Sequence, residues 1–166
     1  MSAGRRLTFV LAGLTLLALA LSLPGSLRDA YERGGLYLFS RAFLEDIPKR
    51  LAGPGRFRFV LQPAFAAAFG VRAGRSDARA GRPPYLWALF FAGQARGDLV
   101  RSSIESIANL LLMGVLLDTL CQWLILGVSY PGAALVVGPV LIAVPYAVAR
   151  SLANRVTRHL LHEGPR

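Results

Sequence analysis

Gly114, Asp118 and Gln122 stand four residues apart, so in a helix they share one face. They lie within Ile107 to Val128, IANLLLMGVLLDTLCQWLILGV, a run long enough to cross a bilayer. A carboxylate at mid-membrane costs about 2.5–3.5 kcal/mol on insertion scales. That face is therefore expected to turn into a bundle or toward water rather than lipid. Two chemistries fit: a proton or substrate relay, or a polar contact that fastens one helix to another. No second acid, His or Lys accompanies Asp118 in the run, which favours fastening. Gln122 and Gln62 are its candidate partners.

A second group is the arginine-rich stretch 72–82, where Arg72, Arg75, Arg79 and Arg82 face a single Asp77 among glycines. Read as a loop, it would hold phosphate or an anionic headgroup through backbone N–H groups and guanidinium forks. Its spacing is not that of a P-loop, and the lysine is missing. The simpler reading is a topology-setting basic loop near anionic lipid. Arg58 and Gln62 are also four apart, and Arg58 is expected to snorkel to headgroups rather than pair with Asp118. His159 and His162, three apart on a basic tail with no third ligand, do not make a metal site. Ser102, Ser103 and Ser106 lack a neighbouring base and read as helix surface. The lone Cys121 offers neither an internal disulfide nor a cysteine metal site. No catalytic constellation and no cofactor fingerprint emerges.

The positioning elements read as helices. Leu7 to Leu23 is an uncharged apolar run behind Arg5 and Arg6. A cleaved signal peptide and an uncleaved membrane anchor compete for it. Pro24 at the would-be cleavage site and the later apolar runs favour the anchor. Pro24-Gly25 is expected to end this helix. Residues 27–48 then form an interfacial amphipathic helix, with Leu36, Phe39, Phe43 and Ile47 at three- and four-residue steps.

Residues 57–71 give a short or broken span, because fifteen helical residues rise only about 22 Å. A crossing there places the N-terminus, the 72–82 stretch and the basic tail 150–166 together on the cytoplasmic side. Tyr85 and Trp87 suit an interface. The 107–128 run and the 133–149 run form a hairpin through Ser129-Tyr130-Pro131-Gly132, and Ala134 and Gly138 permit close helix approach.

Composition agrees with this picture. The apolar fraction is 54% and only 17% of residues are charged, against about a quarter in soluble domains. Mean hydropathy is +0.48. The net charge of +10 fits arginine collected in cytoplasmic loops better than nucleic-acid binding, for which no soluble basic module is evident.

Several of these residues together carry a resemblance. Gln62-Pro63, Gly70-Val71-Arg72-x-Gly74-x-x-Asp77-Ala78-Arg79-x-Gly81-Arg82-Pro83-Pro84-Tyr85-x-Trp87, Asp118-x-x-x-Gln122, Tyr130-Pro131-Gly132 and Pro145-Tyr146-x-x-x-Arg150-x-x-x-Asn154-Arg155 form the pattern. It resembles a family of bacterial integral membrane proteins with no known activity. The family often carries an acidic residue after the turn, where this chain has Ala133. The resemblance implies the membrane class and supplies no function.

The expectation is an all-α membrane protein, a bundle of about four membrane segments with interfacial helices. It is multi-pass in the bacterial inner membrane, with both termini cytoplasmic, and needs no cofactor. It serves as a non-enzymatic accessory or scaffold subunit of a larger membrane complex, or as a homo-oligomer. The alternative is a small transporter or lipid-handling protein using Asp118 and Gln122 in the membrane and Arg72, Arg75, Arg79 and Arg82 for anionic lipid.

Overall fold

The computed structural model describes residues 3–91, 93 and 96–162. Among these residues the structure is helical without strands: α1 (Ala3–Arg33), α2 (Arg41–Ala52), α3 (Arg58–Arg79), α4 (Tyr85–Phe91), α5 (Arg96–Leu126) and α6 (Pro131–His162). Three helices, Gly4–Arg33, Arg96–Leu126 and Pro131–Leu161, are long and apolar enough to cross a membrane. The protein is an all-α membrane bundle. The expected segment 57–71 lies in α3, which is not among those three. Within α3, Arg58, Arg72, Arg75, Asp77 and Arg79 dilute the apolar residues.

Two boundaries differ from expectation. Residues 27–33 belong to α1, which continues through Pro24. Beyond Pro24-Gly25-Ser26 come the good helix formers Leu27, Arg28, Ala30, Glu32 and Arg33 and two i,i+4 ion pairs, Arg28–Glu32 and Asp29–Arg33. A membrane helix also tolerates the hydrogen bond that proline removes. The stop comes at Gly34, whose φ of 68° suits glycine. Gly35 N–H reaches Ala30 O at 3.1 Å and Gly34 N–H reaches Tyr31 O at 3.3 Å, the paired bonds of a Schellman cap. The amphipathic helix is thus shorter than 27–48. It is α2, opened by Ser40, whose Oγ accepts from Phe43 N–H at 3.2 Å.

The other boundary is the stretch 72–82, which is helical as far as Arg79. Its backbone N–H groups are therefore spent inside the helix and cannot cradle phosphate. Gly74 there serves packing instead, and Gly81, at a φ of 69°, caps the helix end.

The chain divides into two compact units. One comprises Met1–Val60 with Asn109–Leu141, the other Leu61–Ala108 with Ile142–Arg166.

In the first unit, α1 buries a narrow stripe, Leu11, Thr15, Ala18 and Ser22, at steps of three and four. Thr15 and Ser22 return their hydroxyls to the carbonyls of Leu11 and Ala18, both at 2.7 Å. Thr8 bonds Asn109 at 2.8 Å. The remaining apolar face of α1, with Phe9, Leu16, Leu17 and Leu21, stays exposed. The α5–α6 hairpin closes on bare backbone. A methyl added at Gly138 would sit 2.7–2.8 Å from the Gly114 carbonyl and Val115 N. Ala134 is fully buried on the same side of α6.

In the second unit α3 buries Gln62, Ala66, Gly70, Gly74, Asp77 and Ala78. Ala66, Gly70, Gly74 and Ala78 form an unbroken small-residue stripe at intervals of four, laid on α6. A Cβ at Gly70 would lie 2.5 Å from Tyr146 O, and one at Gly74 would collide with Arg150 O. Backbone meets backbone along this seam, as in close-packed membrane helix pairs.

Candidate functional site

Each unit is centred on a buried ion pair. In the first, Asp118 is fully buried. Its Oδ1 lies 2.5 Å from Arg58 Nη1. Its Oδ2 accepts from Gln122 Nε2 at 2.6 Å and faces Arg50 Nη1 at a looser 3.5 Å. Gln122 Oε1 in turn accepts from Tyr130 N–H at 2.9 Å, satisfying a donor at the start of α6 that no helical bond reaches. One carboxylate thereby ties α2, α3, α5 and the α5–α6 turn.

This corrects the placement of Arg58 in headgroups: it is 2% exposed. The guanidinium lies over the Phe59 ring at 4.7 Å. Its contact with Asp118 is a close charge pair without hydrogen-bond alignment, and its Nε and Nη2 have no hydrogen-bond partner. Desolvating a second cation is favoured only because the carboxylate is adjacent.

A polar shell surrounds the pair within the same unit. Arg50 donates to Tyr37 Oη at 3.3 Å, and Tyr37 donates to Asp46 Oδ2 at 2.9 Å. Lys49 Nζ holds Asp46 Oδ1 at 2.7 Å. The Tyr37 and Tyr130 rings stack at 3.6 Å, and Arg33 donates to Tyr130 Oη at 2.9 Å.

Burial pushes the Tyr37 hydroxyl up to about 12, despite the opposing pull of Arg50. Burial likewise raises Tyr130 to about 12 against the pull of Arg33. Burial also works to raise Asp46, but Lys49, the Tyr37 hydroxyl and Arg50 outweigh it, leaving the carboxyl below its ordinary value. Asp46 thus contributes stability at neutral pH that is lost as pH falls through its lowered value.

The two tyrosines contribute stability that is complete below about pH 10 and lost as pH rises through about 12. Absorbance titration at 295 nm should show a step near pH 12, shrinking in Tyr37→Phe and again in Tyr37→Phe/Tyr130→Phe. If the substitutions removed amplitude near pH 10 and left the step near pH 12 intact, the stacked, buried pair would be contradicted.

In the second unit the centre is Arg150, 4% exposed. Nε donates to Asp77 Oδ2 at 2.6 Å, and Nη1 donates to Ser103 Oγ at 2.8 Å and Tyr146 Oη at 3.1 Å. The guanidinium lies 4.7 Å from the Tyr85 ring centroid. Arg82 adds a second, half-exposed contact to Asp77 at 3.4 Å. Ser151 Oγ accepts from Leu86 N–H at 2.7 Å, capping short α4, and Asn154 donates to Arg82 O at 3.1 Å.

Sequence reasoning missed this cluster. It put Arg150 in a basic tail, Ser103 on a surface and Tyr85 at an interface; all three are buried. The available signal was Ile142, Tyr146, Arg150 and Asn154 at intervals of four, one continuous face of α6.

The other candidates divide cleanly. Gly114 backs onto Gly138. Gln62 is buried in the second unit with no hydrogen bond to its amide. Arg72, Arg75 and Arg79 are exposed on α3, opposite the small-residue stripe. Ser102 and Ser106 are exposed. The side chain of His162 and residues 163–166 of the tail lie outside the described residues. Among the described residues no three His, Cys, Asp or Glu side chains gather as metal ligands.

Chemically, both centres are carboxylates gripped by guanidinium. Such pairs fix helix against helix and cost several kcal/mol when one partner is removed. No family model, curated protein or solved structure matches the chain.

Proposed function

We propose that this chain is a non-enzymatic, multi-pass protein of a bacterial inner membrane, an accessory or scaffold subunit that packs against a larger membrane partner. One observation carries the reading: both buried carboxylates at the unit centres, Asp118 and Asp77, are bonded to arginines from other helices. A relay needs a carboxyl with a free oxygen toward its proton path. Asp118 has the Arg58 cation against Oδ1, which takes no hydrogen bond but is closed off by that charge, and Gln122 and Arg50 on Oδ2. That supports fastening over transport.

The exposed face of α1 supplies the surface for a partner. Only 22% of its most apolar window is buried, the lowest share of the three spanning helices. We place α3 as a fourth crossing, with both termini cytoplasmic. As far as Phe69 its outward residues Val60, Leu61, Phe65 and Phe69 are apolar, with Arg58 and Gln62 turned inward; beyond it Arg72, Arg75 and Arg79 face outward and Asp77 inward. At about 1.5 Å per residue, residues 58–71 rise about 21 Å, a short crossing, with the outward Arg72, Arg75 and Arg79 of its last two turns at the cytoplasmic headgroups.

A photo-crosslinking residue at Leu17 tests the reading in native membranes. A discrete protein adduct of constant mass is expected. Lipid adducts alone, together with solute or proton flux in proteoliposomes that Asp118→Asn abolishes, would replace the scaffold with the transporter.

A further inference from the structure

The outward side of α3 and its border with α6 in the second unit carry a feature the scaffold reading does not use. Arg72, Arg75 and Arg79 project on one face of α3. Among the described residues none of the three has an ion pair or hydrogen bond. Asp77, the one acidic residue of α3, is turned away and held by Arg150. The three cations, with Val71 and Ser76, line an open cavity of about 570 Å³. A second groove of about 380 Å³ adjoins it, lined by Val71, Arg75, Ala149, Leu152, Val156 and Leu160. Val71 and Arg75 belong to both. The groove runs beside the small-residue seam, where glycine at 70 and 74 lets α3 and α6 touch by backbone.

We propose that this composite site binds one anionic phospholipid, its phosphate on Arg72, Arg75 and Arg79 and an acyl chain in the α3–α6 groove. Guanidinium groups match phosphate oxygens in a planar, forked geometry, and their charge is complementary. A free phosphate would leave the apolar groove empty. A zwitterionic lipid would leave the cluster's charge uncompensated. Arg82 takes no part, because it faces Asp77. This inference stands independently of any protein partner on α1.

The test is native mass spectrometry of the full chain from detergent, with phosphatidylglycerol or phosphatidylcholine added. One phosphatidylglycerol per chain should be retained in preference to phosphatidylcholine. Each arginine near an anionic surface is worth roughly fivefold in affinity, so Arg72→Gln/Arg75→Gln/Arg79→Gln should erase the preference. Arg75→Gln alone should weaken it measurably and is the fallback if the triple variant misfolds by circular dichroism. Val156→Trp, which fills the groove from its exposed edge, should reduce retention with all arginines intact. Equal retention of both lipids, displacement by millimolar inorganic phosphate, or an unaffected preference in well-folded Arg75→Gln would overturn the proposal. Loss in the arginine variants alone would reduce it to diffuse attraction and overturn the acyl-chain half.

Discussion

Asp118→Asn is expected to destabilise the folded protein by about 3–5 kcal/mol, the usual consequence of stripping one partner from a buried charge pair. Asparagine is nearly isosteric and keeps an acceptor for Gln122. The loss would therefore be electrostatic: Arg50 and Arg58, 3% and 2% exposed, would lose the carboxylate between them. Equilibrium unfolding in mixed micelles measures it. Adding Arg58→Met should recover part of the loss, since the double variant no longer buries that cation, and the cycle isolates the coupling. A carboxyl that worked as a neutral proton carrier would be mimicked well by asparagine. Unchanged stability would therefore sink the fastening reading and return Asp118 to relay chemistry.

Arg150→Met is expected to cost a similar amount, about 3–5 kcal/mol. It leaves Asp77 buried with only the half-exposed Arg82 at 3.4 Å. It also removes both Nη1 bonds, to Ser103 and Tyr146, and the stacking over Tyr85. Arg150→Lys should rescue little, because an ammonium cannot reach Asp77 and Ser103 together with fixed fork geometry. Arg155→Met, at an exposed position on the same helix, should fall within about 0.5 kcal/mol of wild type. Equal effects at 150 and 155 would show that the ion pair with Asp77 carries no special weight.

The helical membrane class was readable because it depends on local quantities: run length, charge density and hydropathy. The buried pairs were not, since they depend on which distant residue comes near. Arg58 sits among Phe57, Phe59 and Val60, where periodicity gives no phase to say which way it faces. Its direction follows from Asp118, on another helix. Arg72 to Arg82 looked like a loop because glycine is a poor helix former taken alone. Counted at intervals of four with Ala66, Gly70 and Ala78, Gly74 belongs to a packing seam. Pro24 misled for the complementary reason: its local cost is real, but the tertiary stripe from Leu11 to Ser22 and the ion pairs beyond it outweigh that cost.

The spacing of those pairs along the chain has a consequence for biosynthesis. Arg50 meets its carboxylate 68 residues later, and Asp77 meets its arginine 73 residues later. At about 5–20 residues per second of synthesis, each of these charges waits roughly 4–15 s before its partner exists. The first half of the protein therefore leaves the ribosome with Arg50 and Arg58 lacking Asp118, and Asp77 lacking Arg150. Assembly must be completed from the C-terminal side, when α5 and α6 arrive. Chains stalled before Asp118 would present unmatched charge in an apolar setting, a mark by which membrane quality control can recognise them.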